Sequence, residues 1–451
     1  MTSGNVSGHP IAYRNEAALE QLFQVADLIL HHDRDIETRV DDSVIRCSSH
    51  SQLARPLVSF IRRSRGYAPY TVEMMEPMHN IVAYGAELKT TVALTQGHRV
   101  FLSQHIGDLK NDETFASHQA CIEHLERLYE LNPRWVACDM HPSFRSTRFA
   151  REQGKERIIY VQHHHAHMAS CMAEHGLQGH ALGVIFDGAG FGPDQTIWGG
   201  EFLFGGYESV RRVAHLRTLP LLGGDKAVHE PWRVAFALAA LGRGPDQCPC
   251  AGIPALEALD LQQRHVIGTM LKRGINSVPT SSMGRLFDGV AALLGICVQA
   301  EYEAHGPIAM EALLERDHRL AECYAYSLHN TEGVLQIDPN PLIRQLLDDL
   351  GAGIDLANIS RRFHSTVVDM VCAVCIQMRQ TYQVQQVVLS GEVFLNEFLL
   401  VNSLLRLQIL GFTVYCHRTV PSNDGGIALG QVAVAHSIIS RSQGTPCDPK
   451  H

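Results

Sequence analysis

The chain has no uninterrupted apolar run of membrane-spanning length. Its best candidate, residues 366–378, is broken by Asp369 and Gln377, so no spanning helix and no membrane partner are expected. The opening MTSGNVSGHP lacks the basic stretch and apolar core of a secretory signal, which points to a cytoplasmic protein. Cysteines number 12 but have no dense, regular spacing. Cys372 and Cys375 form a lone CxxC in a helical pattern that puts Phe363, Val367, Val371, Val374 and Met378 on one side. Buried reduced thiols are expected there, since a zinc ribbon needs two such knuckles. Cys248 and Cys250 stand alone, one residue apart. No GK[ST] follows any glycine loop, which excludes a Walker A site. There is no GxSxG, no arguable Ser-His-Asp set and no cysteine with an activating neighbour. Positive charge is also short: 38 Lys and Arg against 47 Asp and Glu leave a net −9, which disfavours nucleic-acid backbone as a partner.

What remains is globular. The 451 residues are 45% apolar and 19% charged, enough for a large core. At roughly 150 residues per domain the length alone suggests about three domains. Residues 1–65 read as a fragment too short for a comfortable core: a helical stretch over 15–30, then RDIETRVDDSVIR with strand-like alternation, then SFIRRSRGYAP. From Ile81 the pattern becomes regular. NIVAYGAELKTTVALTQGHRVFLS reads as three strands with turns, Gln96-Gly97 closing a hairpin. ALGVIFDGAGFGPDQTIWGGEFLFGGY repeats the plan about 100 residues later: apolar strand, glycine-rich turn, further strands. Such a repeat suits a duplicated, two-lobed α/β fold. Residues 225–330 read as mainly helical. The end alternates helix 361–382, strand QVVLSG, helix 395–408, strand FTVYCH and a last helix 425–440.

The strongest chemical signal is VQHHHAHMASCMAEHG at 161–176. His163 and His167 are four apart, so on a helix they share a face and can hold one cation. A solvated, histidine-rich helix start is the competing reading. His164 and His165 fall off that face and could reach substrate. Two imidazoles need a carboxylate from elsewhere. Asp424 in PSNDGGIALGQ precedes the last helix, where it could ligate a metal; equally, Asn423 or Asp424 would serve as the helix cap. In DGAGFGPD, Gly188, Gly190 and Gly192 would let backbone approach a phosphate and Asp187 could meet a metal, unless the segment is an ordinary hairpin. LSGEVFLN places Ser390, Gly391 and Asn396 in a strand-to-helix turn suited to a nucleotide. Asp288 lies on a helix face in SSMGRLFDGVAALLG.

Taken together, GAELKTTVAL, FLSQHIGDL, CDMHPSFRSTRFA, VQHHHAHMASCMAEHG, DGAGFG…WGGEF, EPWRVA, SSMGRLFDGVAALLGIC and SNDGGIALGQ resemble, in order, the C-terminal part of the HypF family, carbamoyltransferases of [NiFe]-hydrogenase maturation. The resemblance runs from about 80 to 435. It implies the actin-like ATPase (ASKHA) fold of the TsaD/Kae type over 80–451, with a second lobe starting near 180. TSGNVSG, DRDIETRVDDSVIR and IRRSRGYAP resemble the tail of the YrdC-like domain that precedes it in HypF, so 1–65 is expected to be its remnant.

The resemblance further implies a divalent metal, iron or zinc, on His163, His167 and Asp424, with Asp187 as a fourth ligand or a phosphate-side residue. Asp288, Gly391 and Asn396 match the family's nucleotide-contacting positions; with Asp187, Gly188, Gly190 and Ser390 from the loops above they form the expected nucleotide side for the ATP/AMP moiety of carbamoyl adenylate, itself made from carbamoyl phosphate and ATP. Lys226 and Arg233, in GGDKAVHEPWR, become the catalytic cations unless they serve as surface ion pairs. The implied acceptor is the C-terminal cysteine of HypE. Glu392 stands where the family usually has Gly, and EYEAHGPIAME at 301–311 departs from the usual segment. The alternatives are a tRNA threonylcarbamoyl-transferase-like protein and a truncated, non-catalytic paralogue that binds HypE.

Overall fold

Two strands, Ile81–Ala83 and Ala181–Phe191, sit at equivalent places and explain the architecture. Side chains alternate across a strand. In the second, Leu182, Val184 and Phe186 enter one cluster while Ala181 and Ile185 enter another on the opposite face. In the first, Ile81 and Ala83 face one cluster and Val82 the other. A strand apolar on both faces needs cover on both, which helices supply. The structure, a computed structural model, describes residues 4–5, 9–53, 55–153, 157–244 and 250–444. Most of TSGNVSG and Cys248 lie outside the described residues.

Each strand founds a sheet of the same order. Ile81–Ala83 pairs antiparallel with Ala93–Gln96, which pairs with Arg99–Leu102; on its other side lie the parallel strands Trp135–Asp139 and Ile158–Val161. Ala181–Phe191 pairs antiparallel with Ile197–Gly205, which pairs with Val210–Leu216; its other side carries the parallel strands Gln386–Ser390 and Thr413–Cys416. The expected duplication is thus present as topology. The halves differ by what lies between third and fourth strands, where the second half inserts helices including Trp232–Arg243, Leu261–Arg273, Met283–Leu293, His305–Ala312 and Leu356–Tyr382. Cys372 and Cys375 are buried, free thiols on the last of these.

The two halves exchange their final helices. The histidine helix, His163–Glu174, follows the last strand of the first sheet but packs Met168, Cys171 and Met172 against Ala181, Ile185 and Val388 of the second. The C-terminal helix, Ile427–Gly444, follows the last strand of the second sheet and packs Val432 and Ala433 against Ile81, Ala83 and Ala93 of the first. Each fully buried Val, Ile or Met side chain in these contacts contributes about 1.5–3 kcal/mol, each alanine less. The helices touch at Gly430, where a Cβ would stand 1.8 Å from the Ala166 carbonyl oxygen. Only a residue without a side chain permits that approach.

Three expectations change. The N-terminal helix is Asn15–Leu22, shorter than 15–30, and none of its residues is buried, so nothing packs to propagate it. Of the alternating 34–46 stretch only 44–46 is strand, the start of Val44–Ser48, which pairs with Leu57–Arg62. DGAGF is not a turn but the end of the strand Ala181–Phe191. The glycines serve close packing: a Cβ on Gly190 would lie 2.4 Å from His164 Cε1. Among the described residues no helix is long and apolar enough to cross a membrane.

Candidate metal centre

The exchange of helices brings two helix starts together. Gln162 caps the histidine helix by accepting the His165 N–H, and residues 163–173 are all buried, which removes the solvated-helix reading. On the facing element, Asn423 Oδ1 accepts the Gly425 N–H at 3.0 Å and takes the cap. The Asp424 carboxylate is thereby left to the histidines.

His163 and His167 rings stand 5.0 Å apart. Asp424 Oδ1 lies 3.5 Å from His163 Nε2 and 3.6 Å from His167 Nε2; Asp187 Oδ2 lies 3.3 and 3.9 Å from the same two atoms. All four ligand atoms fall within 4.8 Å of one another, the one such group among the described residues. Both Nε2 atoms are buried without a hydrogen-bond partner. A cation about 2.0–2.2 Å from each donor would leave donor–donor gaps of this size. The residues fit a divalent ion, and the His/carboxylate set suits iron or zinc.

The electrostatics agree. Burial alone would lower the His163 pKa, yet Asp424, Asp139 and Asp187 together hold it well above its ordinary value. Burial would raise the carboxylates, but the His163 and His167 imidazoles beside it keep Asp187 well below the usual range, and His163 chiefly brings Asp424 to about 2. The buried Asp187 and the partly buried Asp424 demand positive charge between them. A proton on His163 can supply it, and so can a metal.

Behind the ligands, His163 Nδ1 donates to Asp139 Oδ2 at 2.8 Å. A carboxylate only accepts, so this bond assigns the tautomer and aims the Nε2 lone pair at the cluster. Sequence reasoning missed Asp139; the signal was its place at the carboxyl end of a parallel strand, where α/β ligands gather. Ser390, expected at a nucleotide, is instead buried: its hydroxyl donates to the His167 carbonyl at 3.0 Å and meets His417 Nε2 at 2.8 Å. His164 and His165 are buried as well, His165 against the Gly206 carbonyl. Burial pushes the His165 pKa down to about 4.

Beside the cluster is a cavity of about 250 Å³, lined by Lys89, Gly188, Asp288, Glu392 and Asn396 among others. Gly391, at φ +98°, turns under it because a Cβ would strike the Phe186 carbonyl oxygen at 2.2 Å. Asp288 pairs with Arg285 at 2.7 Å, and burial raises its pKa. Lys89, from the first half, reaches across to Glu303 and to Glu392 at 2.8 Å, both in the second. Burial pushes Glu392 up to about 8, with Glu303 and Asp187 adding to it against Lys89. Lys89 and Glu303 were not singled out in the sequence. Lys226 and Arg233 do not line this cavity: Lys226 is exposed, while Arg233 is engaged by Glu230 at 2.5 Å and lies over the Trp232 ring.

A two-lobed α/β fold with this exchange of helices is a Kae1-like one. The family model for the second subdomain of the carbamoyltransferase Kae1-like domain matches residues 183–431, the HypF Kae1-like domain model matches 76–174, and the Sua5/YciO/YrdC model, described as telomere recombination, matches 1–57. Carbamoyltransferase HypF2 of Cupriavidus necator is 39% identical over 96% of this chain and 56% of its own. A carbamoyltransferase HypF homolog of the same organism is 33% identical over 81% of this chain and 96% of its own. The crystal structure of full-length HypF in the phosphate- and nucleotide-bound form superposes with a TM-score of 0.90 at 38% identity, over 97% of this chain and 67% of that one. HypF of T. kodakarensis gives 0.85 at 30% identity, over 98% and 57%. The chain belongs to the HypF carbamoyltransferase family. It spans about half the length of the first curated relatives it matches, 56% of each of the first two.

Proposed function

We propose that this protein is a cytoplasmic carbamoyltransferase of hydrogenase maturation that moves a carbamoyl group from carbamoyl adenylate to the C-terminal cysteine of a HypE-like protein. In this reading residues 1–65 are a YrdC-type segment and 80–451 the transferase, its second lobe starting near 180. The observation that carries it is the pair of buried, unpartnered Nε2 atoms of His163 and His167 facing Asp424 and Asp187 beside the cavity.

His163, His167 and Asp424 would hold the metal, with Asp187 completing the set. When bound, the metal supplies Lewis-acid polarisation of a carbonyl or phosphoryl oxygen. Asp139 keeps His163 in its ligating tautomer. The backbone at Gly188 and Gly391 borders the nucleotide, with Asn396 and Asp288 at its rim. Lys89, rather than Lys226 or Arg233, is the cation placed to neutralise the leaving phosphate, once it parts from Glu392. The acceptor thiolate attacks the carbamoyl carbon, the carbon–oxygen bond of the mixed anhydride breaks, and AMP leaves with the electron pair.

The test supplies preformed carbamoyl adenylate and HypE to the purified chain and reads carbamoylated HypE by mass spectrometry. Transfer by the parent chain and none by His163→Ala or His167→Ala is expected. HypE binding with no transfer would point to a non-catalytic scaffold. Tight tRNA binding that collapses with salt would favour the tRNA-modifying reading.

A further inference from the structure

The hairpin Val44–Ser48 and Leu57–Arg62 stands outside both sheets, yet it reaches both sides of the candidate site. Arg46 and Ile61 line the cavity with Lys89, Asp288 and Asn396. Arg46 Nη1 donates to the Leu395 carbonyl at 2.8 Å and to Glu311 Oε1 at 3.0 Å. The same Glu311 oxygen accepts the Glu397 N–H at 2.7 Å. These bonds grip both flanks of Asn396, whose side chain caps the helix Glu397–Ile409 through the Leu399 N–H. On the second strand, two residues beyond the partner of Arg46, the Ile61 carbonyl accepts from Asn423 Nδ2 at 3.0 Å. Asn423 is the residue that takes the cap and leaves Asp424 to the histidines. Leu57, opposite Ser48 at the turn end of the hairpin, is buried in the large core of the second half and anchors the strand there.

We propose that Arg46 is a positioning residue for the nucleotide side of the transferase site, acting through Glu311 and the Leu395 carbonyl on the turn that carries Asn396. The hairpin is then a wall of the site, whatever else the segment around it does. A guanidinium suits the role because its planar fork can satisfy a carboxylate and a carbonyl together from a half-buried position, which a lysine ammonium matches poorly. The inference rests on the nucleotide reading of the cavity given above.

The experiment titrates ADP into the full chain by calorimetry, comparing parent, Arg46→Met, Arg46→Lys, Glu311→Gln and the Arg46→Met/Glu311→Gln pair, with thermal melts and metal content beside each. Arg46→Met is expected to weaken ADP binding about tenfold, Arg46→Lys by less, and the double variant no more than the worse single one, since the two residues act as one unit. Metal content should hold, because the histidines and Asp424 are untouched. With carbamoyl adenylate the loss should sit in KM and leave kcat near the parent value. Parent-like ADP affinity in Arg46→Met, or equal losses of ADP affinity and metal in proportion to a fallen melting temperature, would overturn the positioning role while leaving the nucleotide reading intact. A parent chain that binds no ADP would overturn the nucleotide reading, and this role with it.

Discussion

The two halves repeat one strand order but contribute unlike chemistry at the same place. In the first, Ile158–Val161 runs almost directly into the histidine helix, whose cap is Gln162, and the opening turn presents two imidazoles. In the second, Thr413–Cys416 reaches the C-terminal helix through the longer connection 417–426, whose cap is Asn423 and whose candidate ligand is the next residue, Asp424. A cation held between two helix starts is served well by neutral donors from one and negative charge from the other. Four carboxylates there would repel one another in a buried site, and four imidazoles would leave the ion's charge uncompensated. The duplicated scaffold supplies the symmetry of position, and sequence divergence supplies the complementarity.

The sharpest way to break that comparison is to remove ligands from one half at a time. His163→Ala, His167→Ala and Asp424→Ala should each cost more metal affinity than the roughly 10- to 100-fold carried by outer partners, read as metal per chain after dialysis. Retention in Asp424→Ala would mean that the second half is not a ligand donor. Next in size is Asp139→Asn, which spares every ligand but loses the carboxylate that sets the His163 tautomer; a loss of about 10- to 100-fold is expected, and parent-like affinity would deny Asp139 its orienting role.

A smaller change should come from Glu392→Gln. Above about pH 8, where Glu392 is ionised, removing its charge beside Lys89 should tighten ADP binding about three- to tenfold, since like-charge repulsion falls and Lys89 is released from one partner; unchanged or weaker binding there would show that Glu392 does not oppose phosphate. The smallest effect compares one buried histidine from each half. His118, on the Tyr84 carbonyl, and His364, on the Ser360 carbonyl, are both brought to about 4 by burial. Unfolded, each would take a proton near 6.5. Between pH 6.5 and 4 the unfolded chain therefore binds protons that the folded chain refuses, so stability falls as pH drops through that window. His118→Gln and His364→Gln should each flatten part of the decline in melting temperature, and a decline identical to the parent's in both would remove the histidines as its cause.

Local spacing made part of this site legible and hid the rest. Two histidines one helical turn apart announce a shared face, and the structure puts that face at the cluster. Asp424 read equally as a helix cap until Asn423 was seen to take that bond. Asp139 carried no signal beyond ending an apolar strand, because its partner lies 24 positions on. Arg46 and Glu311, 265 positions apart, gave none. The glycines of DGAGF were legible as sites of close approach but not of what approaches: Gly190 meets the His164 and His163 rings and Gly188 meets Arg285 before any phosphate.

By itself the sequence determined the alternation of strands and helices, the repeat of the founding strand, the histidine pair and the membership that its ordered motifs announce, since each depends on residues close together along the chain. Only the tertiary structure decided which carboxylates face those histidines, which cation crosses between the halves, and that the hairpin at 44–62 walls the cavity. Those outcomes follow from the exchange of two helices between sheets and their contact at Gly430, and no local spacing encodes where distant segments will meet once the core has closed.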